Sequence, residues 1–205
     1  MTRSPLFKRR IGVFAGSSVG NDLRYAEQVR EFIANAVSTG LEVVYGGGSV
    51  GLMGVVADTA LNNAGKVVGV IPQSLANAEV AHRSLTALHV VESMSARKRL
   101  ILDLSDYIVA FPGGIGTVEE LFEAWSELIL GLSRKPVFLL NISNYWSPLL
   151  RLIEHMAESG FIRDVERGTL IPITRFDQLL SHASNWTAPP ARWAREMSED
   201  GIRPT

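Results

Sequence analysis

The chain has 205 residues, 46% of them apolar, and a formal net charge of −1. That length and apolar content suit one α/β domain with a well-buried core, and the near-zero charge supplies no global field for nucleic acid or an anionic membrane. The absence of cysteine excludes disulfides, thiolate catalysis and Cys-based metal sites, and His82, His89, His155 and His182 fall in no metal-ligand spacing.

Residues 1–8 read as a flexible, basic N-terminus that leads into a strand rather than into the apolar core of a signal peptide. Glycines and charges interrupt every apolar run, so no membrane span is expected and the expected location is the cytoplasm. Ile11–Ala15 reads as a first strand and Asp22–Ser38 as a helix ended by Gly40. Leu41–Tyr45 is a second strand running into Gly46-Gly47-Gly48, followed by a helix over Val50–Asn63 closed by Gly65. Val67–Ile71 is a third strand and Leu88–Val91 a fourth. A helix over Met94–Leu104 precedes a strand at Tyr107–Phe111, and a helix over Gly116–Leu130 ends at Gly131. Pro136–Leu140, a helix over Trp146–Glu158, a strand at Thr169–Ile173 and a short helix around Asp177–Ser181 complete the pattern. The strands are continuous Val/Ile-rich runs, as in sheets covered on both faces. The alternation predicts a doubly wound, Rossmann-like parallel sheet with helices on both faces, in one domain over 9–183. Residues 184–205 read as a C-terminal tail whose Trp186 and Trp193 either hang free or dock on the body or on a partner subunit.

In such folds ligands bind beyond the carboxyl ends of the strands, where two glycine loops are expected. The first, Gly46 to Gly54, satisfies G-x-G-x-x-G, but the next strand ends in Val70-Ile71-Pro72-Gln73. No acid stands there to hold a dinucleotide ribose, so a tight strand-to-helix turn is as good a reading. The second, Pro112-Gly113-Gly114-Ile115-Gly116-Thr117, places flexible backbone and a hydroxyl before a helix N-terminus, which suits a phosphate. It lacks the Gly-Lys-Ser/Thr of a triphosphate-hydrolysing loop. Thr117 and Glu120 have the spacing of a capping box, with Thr117 as N-cap and Glu120 at N3. A carboxylate there would also face the phosphate loop, so both roles stay open.

On a helical wheel from Met94, residues Leu100, Leu104, Ile101, Met94 and Leu102 form one apolar arc. Arg97 and Lys98 fall inside that arc, while Ser95, Arg99 and Asp103 point away. Cations in a core-facing stripe either snorkel to its edge or meet an anion, a ligand or a carboxylate such as Glu120.

The two glycine segments, GGGSVGLMG and PGGIGTVEE, resemble the GGGxxGLMG and PGGxGTxxE signatures of the LOG (Lonely guy) family, whose members are often labelled lysine decarboxylase-like. The similarity extends through Ala15-Gly16-Ser17-Ser18, Glu79-Val80-Ala81-His82, Ser93-Met94, Arg97-Lys98 and Lys135-Pro136, over roughly residues 9 to 165. The resemblance implies cleavage of the bond between base and ribose 5-phosphate in cytokinin-type nucleoside 5′-monophosphates, without a cofactor or metal. It implies Arg97 and Glu120 as the catalytic pair and Gly113, Gly114, Ile115, Gly116 and Thr117 as the phosphate loop. It also places Lys98, Glu79 and Ser126 near the nucleotide, puts Ser17, Gly46 and Met53 on the base and ribose side, and implies a homodimer or larger assembly. The chain departs from the family's Met-His-x-Arg-Lys by reading Met94-Ser95-Ala96-Arg97-Lys98. Two rivals remain: a nucleotide-binding or carrier protein of the same fold that turns nothing over, and a decarboxylase needing pyridoxal phosphate on a lysine.

Overall fold

The computed structural model describes residues 9–76 and 81–192. Residues 1–8, Glu79 and Trp193 lie outside them, as does the rest of the tail to residue 205. Among the described residues seven strands form one parallel sheet: β1 (Arg10–Phe14), β2 (Glu42–Tyr45), β3 (Val67–Pro72), β4 (Ala87–Val91), β5 (Tyr107–Ala110), β6 (Val137–Leu140) and β7 (Leu170–Ile173). Their order is β4-β3-β2-β1-β5-β6-β7. The chain builds outward from β1 to β4, returns to place β5 beside β1, and builds outward the other way. The order therefore reverses between β1 and β5, and a crevice opens beyond their carboxyl ends.

The helices are α1 (Leu23–Ser38), α2 (Gly51–Asn62), α3 (Gln73–Ala76), α4 (Met94–Leu104), α5 (Ile115–Leu130), α6 (Ser147–Glu158), α7 (Asp164–Arg167) and α8 (Phe176–Ser184), with a 3₁₀ turn at Ile142–Asn144. Helices α1, α2 and α8 cover one face, where Phe32, Ile33, Val56 and Leu179 pack on Ile11, Val13, Val43 and Val109. Helices α4, α5 and α6 cover the other, where Ile101, Leu121, Trp125 and Ile153 pack on Phe14, Val44, Val70 and Leu139. Burial on both faces explains why the strands read as unbroken apolar runs. Edge strand β4 is the exception, being exposed along most of its length.

The long elements stand within about a residue of their expected bounds at most ends. The short α3, α7 and the 3₁₀ turn were not foreseen, because each is a single turn with no period to read. Within the segment read as a tail, Trp186 packs on the α4–α5 face and its indole N–H donates to the Arg134 carbonyl at 2.8 Å. The Arg192 amide donates to the Ile129 carbonyl at 3.0 Å.

Candidate active site

Three loops meet at the reversal point. The Gly16 amide donates to the Pro112 carbonyl at 3.1 Å, joining the loop after β1 to the loop after β5. The Met53 amide donates to the Gly16 carbonyl at 3.3 Å, joining the same loop to the start of α2. Between them lies a cleft of about 260 Å³, lined by Ser17, Ser18, Leu52, Gly113, Gly114 and two tyrosines, Tyr25 and Tyr145. A wider concavity of about 660 Å³ lies on the outer surface of α1 and α8, but it holds none of the glycine loops. The smaller cleft is the one that adjoins the phosphate-type loop.

Helix α5 starts earlier than its capping-box signal implied. Gly114 is the N-cap and has no side chain to offer, so Thr117 stands in the first turn and Glu120 lies well inside the helix. The capping-box reading of Thr117 and Glu120 is therefore overturned: the glycine loop runs straight into the helix three residues sooner. The first intrahelical bond is from the Val118 amide to the Gly114 carbonyl at 3.1 Å. The Ile115, Gly116 and Thr117 amides precede it, and together with the helix dipole they suit an anion. At Gly113 a Cβ would overlap Thr117 Oγ1 and lie 2.8 Å from the Gly16 amide nitrogen, so only glycine lets the two loops close. The Tyr145 hydroxyl donates to the Gly113 carbonyl and steadies the loop from the α6 side.

The wheel placed Arg97 and Lys98 correctly and misplaced Met94. Arg97 and Lys98 are buried with Ile101 and Leu102 one turn on, whereas Met94 is 44% exposed. Ser95 is exposed, away from Arg97. The Ser93 hydroxyl accepts from the Ala96 amide at 3.1 Å and caps α4, fixing where its first turn sits. Neither cation snorkels. Arg97 is 8% exposed and faces the carboxyl of Glu120, which is 7% exposed, with Nη2 and Oε1 3.6 Å apart. That separation is too long for a hydrogen bond. The Arg97 Nε–H is buried and has no hydrogen-bond partner, so the pair retains donor capacity for a ligand.

Gly46 makes the slot for this arginine. A Cβ there would overlap Arg97 Nη2 and lie 2.8 Å from Cζ. The loop carrying Gly46 is pinned from two sides. The buried Tyr45 hydroxyl donates to the Gly48 carbonyl at 3.0 Å, and the His82 amide donates to the Gly47 carbonyl at 2.9 Å. His82 Nδ1 accepts from the Ser84 amide at 3.2 Å, which leaves Nε2–H to donate to Asp58 at 3.0 Å.

Burial pushes the Glu120 carboxyl up from its ordinary 4.5 to about 7; Arg97 opposes the rise and neighbouring Glu119 adds to it. Lys98 binds Glu119 and Glu123, one turn apart on α5. These two partners were not singled out from the sequence, although an acidic i,i+4 pair opposite a buried lysine was there to be matched. The burial of Lys98 disfavours its charge, but these bonds outweigh that and hold the ammonium above its usual range.

Of the other expected site residues, Ser17 and Gly114 line the cleft, whereas Met53 is half-buried and does not line it, although its amide bonds the Gly16 carbonyl. Ser126 is exposed on α5, six residues and about 9 Å of helix rise beyond Glu120. Among the described residues no three His, Asp or Glu side chains converge as metal ligands would. Nor does a described lysine suit a Schiff base: Lys66 pairs with Glu42, Lys135 donates to the Leu102 carbonyl, and Lys98 is held charged by two carboxylates. Among the described residues no helix is long and apolar enough to cross a membrane.

A family model described as "Possible lysine decarboxylase" matches residues 53–183. The chain is 46% identical over 165 residues to a cytokinin riboside 5′-monophosphate phosphoribohydrolase of Rhodococcoides fascians, covering 80% of this chain and 83% of that one. It is 40% identical over 204 residues to the probable enzyme LOGL1 of Oryza sativa subsp. japonica, covering 96% and 90%. It is 36% identical over 203 residues to LOG1 of Arabidopsis thaliana, covering 96% and 94%. Among solved structures, the molybdenum cofactor carrier protein of Chlamydomonas reinhardtii superposes with a TM-score of 0.64 at 18% identity, over 87% of this chain and 97% of that one. The molybdenum cofactor binding protein of Rippkaea orientalis gives 0.65 at 19%, over 88% and 98%. At those identities the superpositions show a shared fold and nothing about ligand.

Proposed function

The chain belongs to the LOG family of cytokinin riboside 5′-monophosphate phosphoribohydrolases, and from that membership we propose that it hydrolyses the N-glycosidic bond of N6-modified adenosine 5′-monophosphates to free base and ribose 5-phosphate. The observation that carries the reading is the buried Arg97–Glu120 pair, loosely engaged, beside a helix N-terminus whose first-turn amides lack side-chain caps.

In this mechanism the 5′-phosphate sits on the Gly113–Thr117 segment, and its binding energy orients the ribose over Glu120. As the C1′–N bond breaks, its electron pair leaves with the base and positive charge develops on the sugar. Ionised Glu120 stabilises that charge and takes a proton from the attacking water, whose oxygen bonds to C1′. Arg97 faces the Glu120 carboxylate and donates from its unpartnered Nε–H toward the departing base, which takes up a proton on release. Ser17, Gly46 and Met53 border the base and ribose side. Met94 and Ile115, the latter 90% exposed, flank the site with uncovered apolar surface, which supports a homodimer or larger assembly, checked by sedimentation.

The test is to incubate purified protein with AMP and with isopentenyladenosine monophosphate and to quantify released base by chromatography. Base release that disappears in Glu120→Ala and Arg97→Ala is expected. Intact nucleotide after prolonged incubation with the wild type would replace hydrolysis with a binding role.

A further inference from the structure

Lys98 is buried beside the catalytic pair, yet its ammonium points to neither Arg97 nor open cleft. It is bound by Glu119 and Glu123, which flank Glu120 on the same side of α5. Glu119 is largely exposed and Glu123 about one-third exposed, so water alone would satisfy both carboxylates. Drawing a lysine into the protein to meet them costs desolvation, and that cost calls for a use. The groups facing Glu120 are Arg97 and Lys98 from α4 and Glu119 and Glu123 from its own helix. With Lys98 absent, two carboxylates would stand against the Glu120 carboxyl, and only Arg97 would favour its ionised form.

We propose that Lys98 is a positioning residue rather than a nucleotide ligand: clamped between Glu119 and Glu123, it neutralises the carboxylates that flank Glu120 and so sets the pH at which Glu120 can act as a base. The proposal rests on the hydrolase reading for its catalytic consequence, but not for its electrostatics. The same clamp ties α4 to α5, so it also fixes the face-to-face placement of Arg97 and Glu120.

Three variants separate the possibilities. Lys98→Met keeps the length and apolar stem and leaves both carboxylates uncompensated. Glu119→Gln/Glu123→Gln removes the carboxylates and keeps the lysine, and the triple variant removes all three charges. Two readouts are taken on each: the pH dependence of kcat/KM, and the ¹³C carboxyl NMR titration of Glu120, which needs no turnover. Lys98→Met is expected to move the Glu120 titration and the acidic limb of the rate profile up by about one pH unit, with KM little changed. The double variant is expected to move both down, and the triple variant to return them close to the wild-type position. A Lys98→Met protein whose Glu120 titrates at the wild-type pH overturns the proposal. If its KM for the nucleotide also rises severalfold, Lys98 is a substrate ligand instead. If the wild type releases no base, the hydrolase reading fails by itself and the NMR titration still decides the clamp. Should Lys98→Met not fold, the double variant decides, because an unmoved Glu120 titration there is equally fatal.

Discussion

Replacing Glu120 by glutamine separates the cost of a buried carboxyl from its use. In the folded chain this group keeps its proton up to about pH 7, against an ordinary 4.5. Glutamine is nearly isosteric with the protonated form and never ionises. A carboxyl that binds its proton more tightly when folded favours folding most at pH values below 4.5, where both states are protonated. That advantage falls as the pH rises from 4.5 and is gone above 7. The gap corresponds to about 3 kcal/mol. Glu120→Gln and wild type should therefore have similar stability at pH 4 and differ by about 3 kcal/mol at pH 8, with the variant the more stable. For a domain of this size that is roughly 6–12 °C in melting temperature, measurable by calorimetry in matched buffers. The same variant should lose turnover by roughly 10²–10⁴-fold if the carboxylate is the base. Wild-type kcat/KM should climb about tenfold per pH unit below 7 and flatten above it. A variant no more stable than wild type at pH 8 would refute the electrostatic account, and one with full turnover would refute the catalytic one.

Two glycine substitutions test the geometry around this pair. Gly46 does not occupy the left-handed backbone region, so Gly46→Ala meets no strain of its own; its methyl displaces the Arg97 guanidinium. It should fold with near-normal circular dichroism and lose base release about as fully as Arg97→Ala, and an alanine variant with wild-type turnover would show that Arg97 need not sit there. Gly113→Ala pushes Thr117 and the Gly16 amide out of register, so calorimetric AMP affinity should fall by about tenfold or more, or roughly 1.4 kcal/mol. Unchanged affinity would take the phosphate off this loop.

Much of this was legible in the sequence because its signals were redundant. The α4 bounds followed from the apolar spacing, and the wheel placed Arg97 and Lys98 in the core-facing arc while leaving burial or snorkelling open. The period could not say what those cations meet, since Glu119, Glu120 and Glu123 lie on a different helix and only the tertiary fold brings them across. Met94 broke the wheel because it is the first residue of the helix: it is 44% exposed, and its sulfur meets the Arg97 guanidinium at 3.7 Å. The capping-box pattern of Thr117 and Glu120 failed because Gly113 and Gly114 let the chain enter the helix directly, without a side-chain cap. Gly46 read as a turn residue, and nothing local reveals that its missing side chain is the space an arginine on α4 fills. Strand order is likewise a fact about long-range pairing, yet the βα alternation narrowed it to a doubly wound sheet with its crevice at a reversal.

The charges around Glu120 give the site its direction. Three carboxylates on α5 face two cations on α4, so full ionisation leaves one negative charge uncompensated. The proton that removes it belongs on the carboxyl with least water, and burial marks Glu120 as that group. Near pH 7 the cluster therefore stands between neutral and singly negative. In the proposed reaction a ribosyl group losing its base develops one positive charge, held close to this carboxyl by a phosphate on the N-terminus of the same helix, α5. Burial first, and the uncompensated charge beside it, make ionised Glu120 unfavourable; that charge is matched only while the cation exists, so the interaction is stronger in the transition state than with bound substrate or product. A cluster balanced to neutrality by a third cation would be more stable at rest and would forfeit that difference.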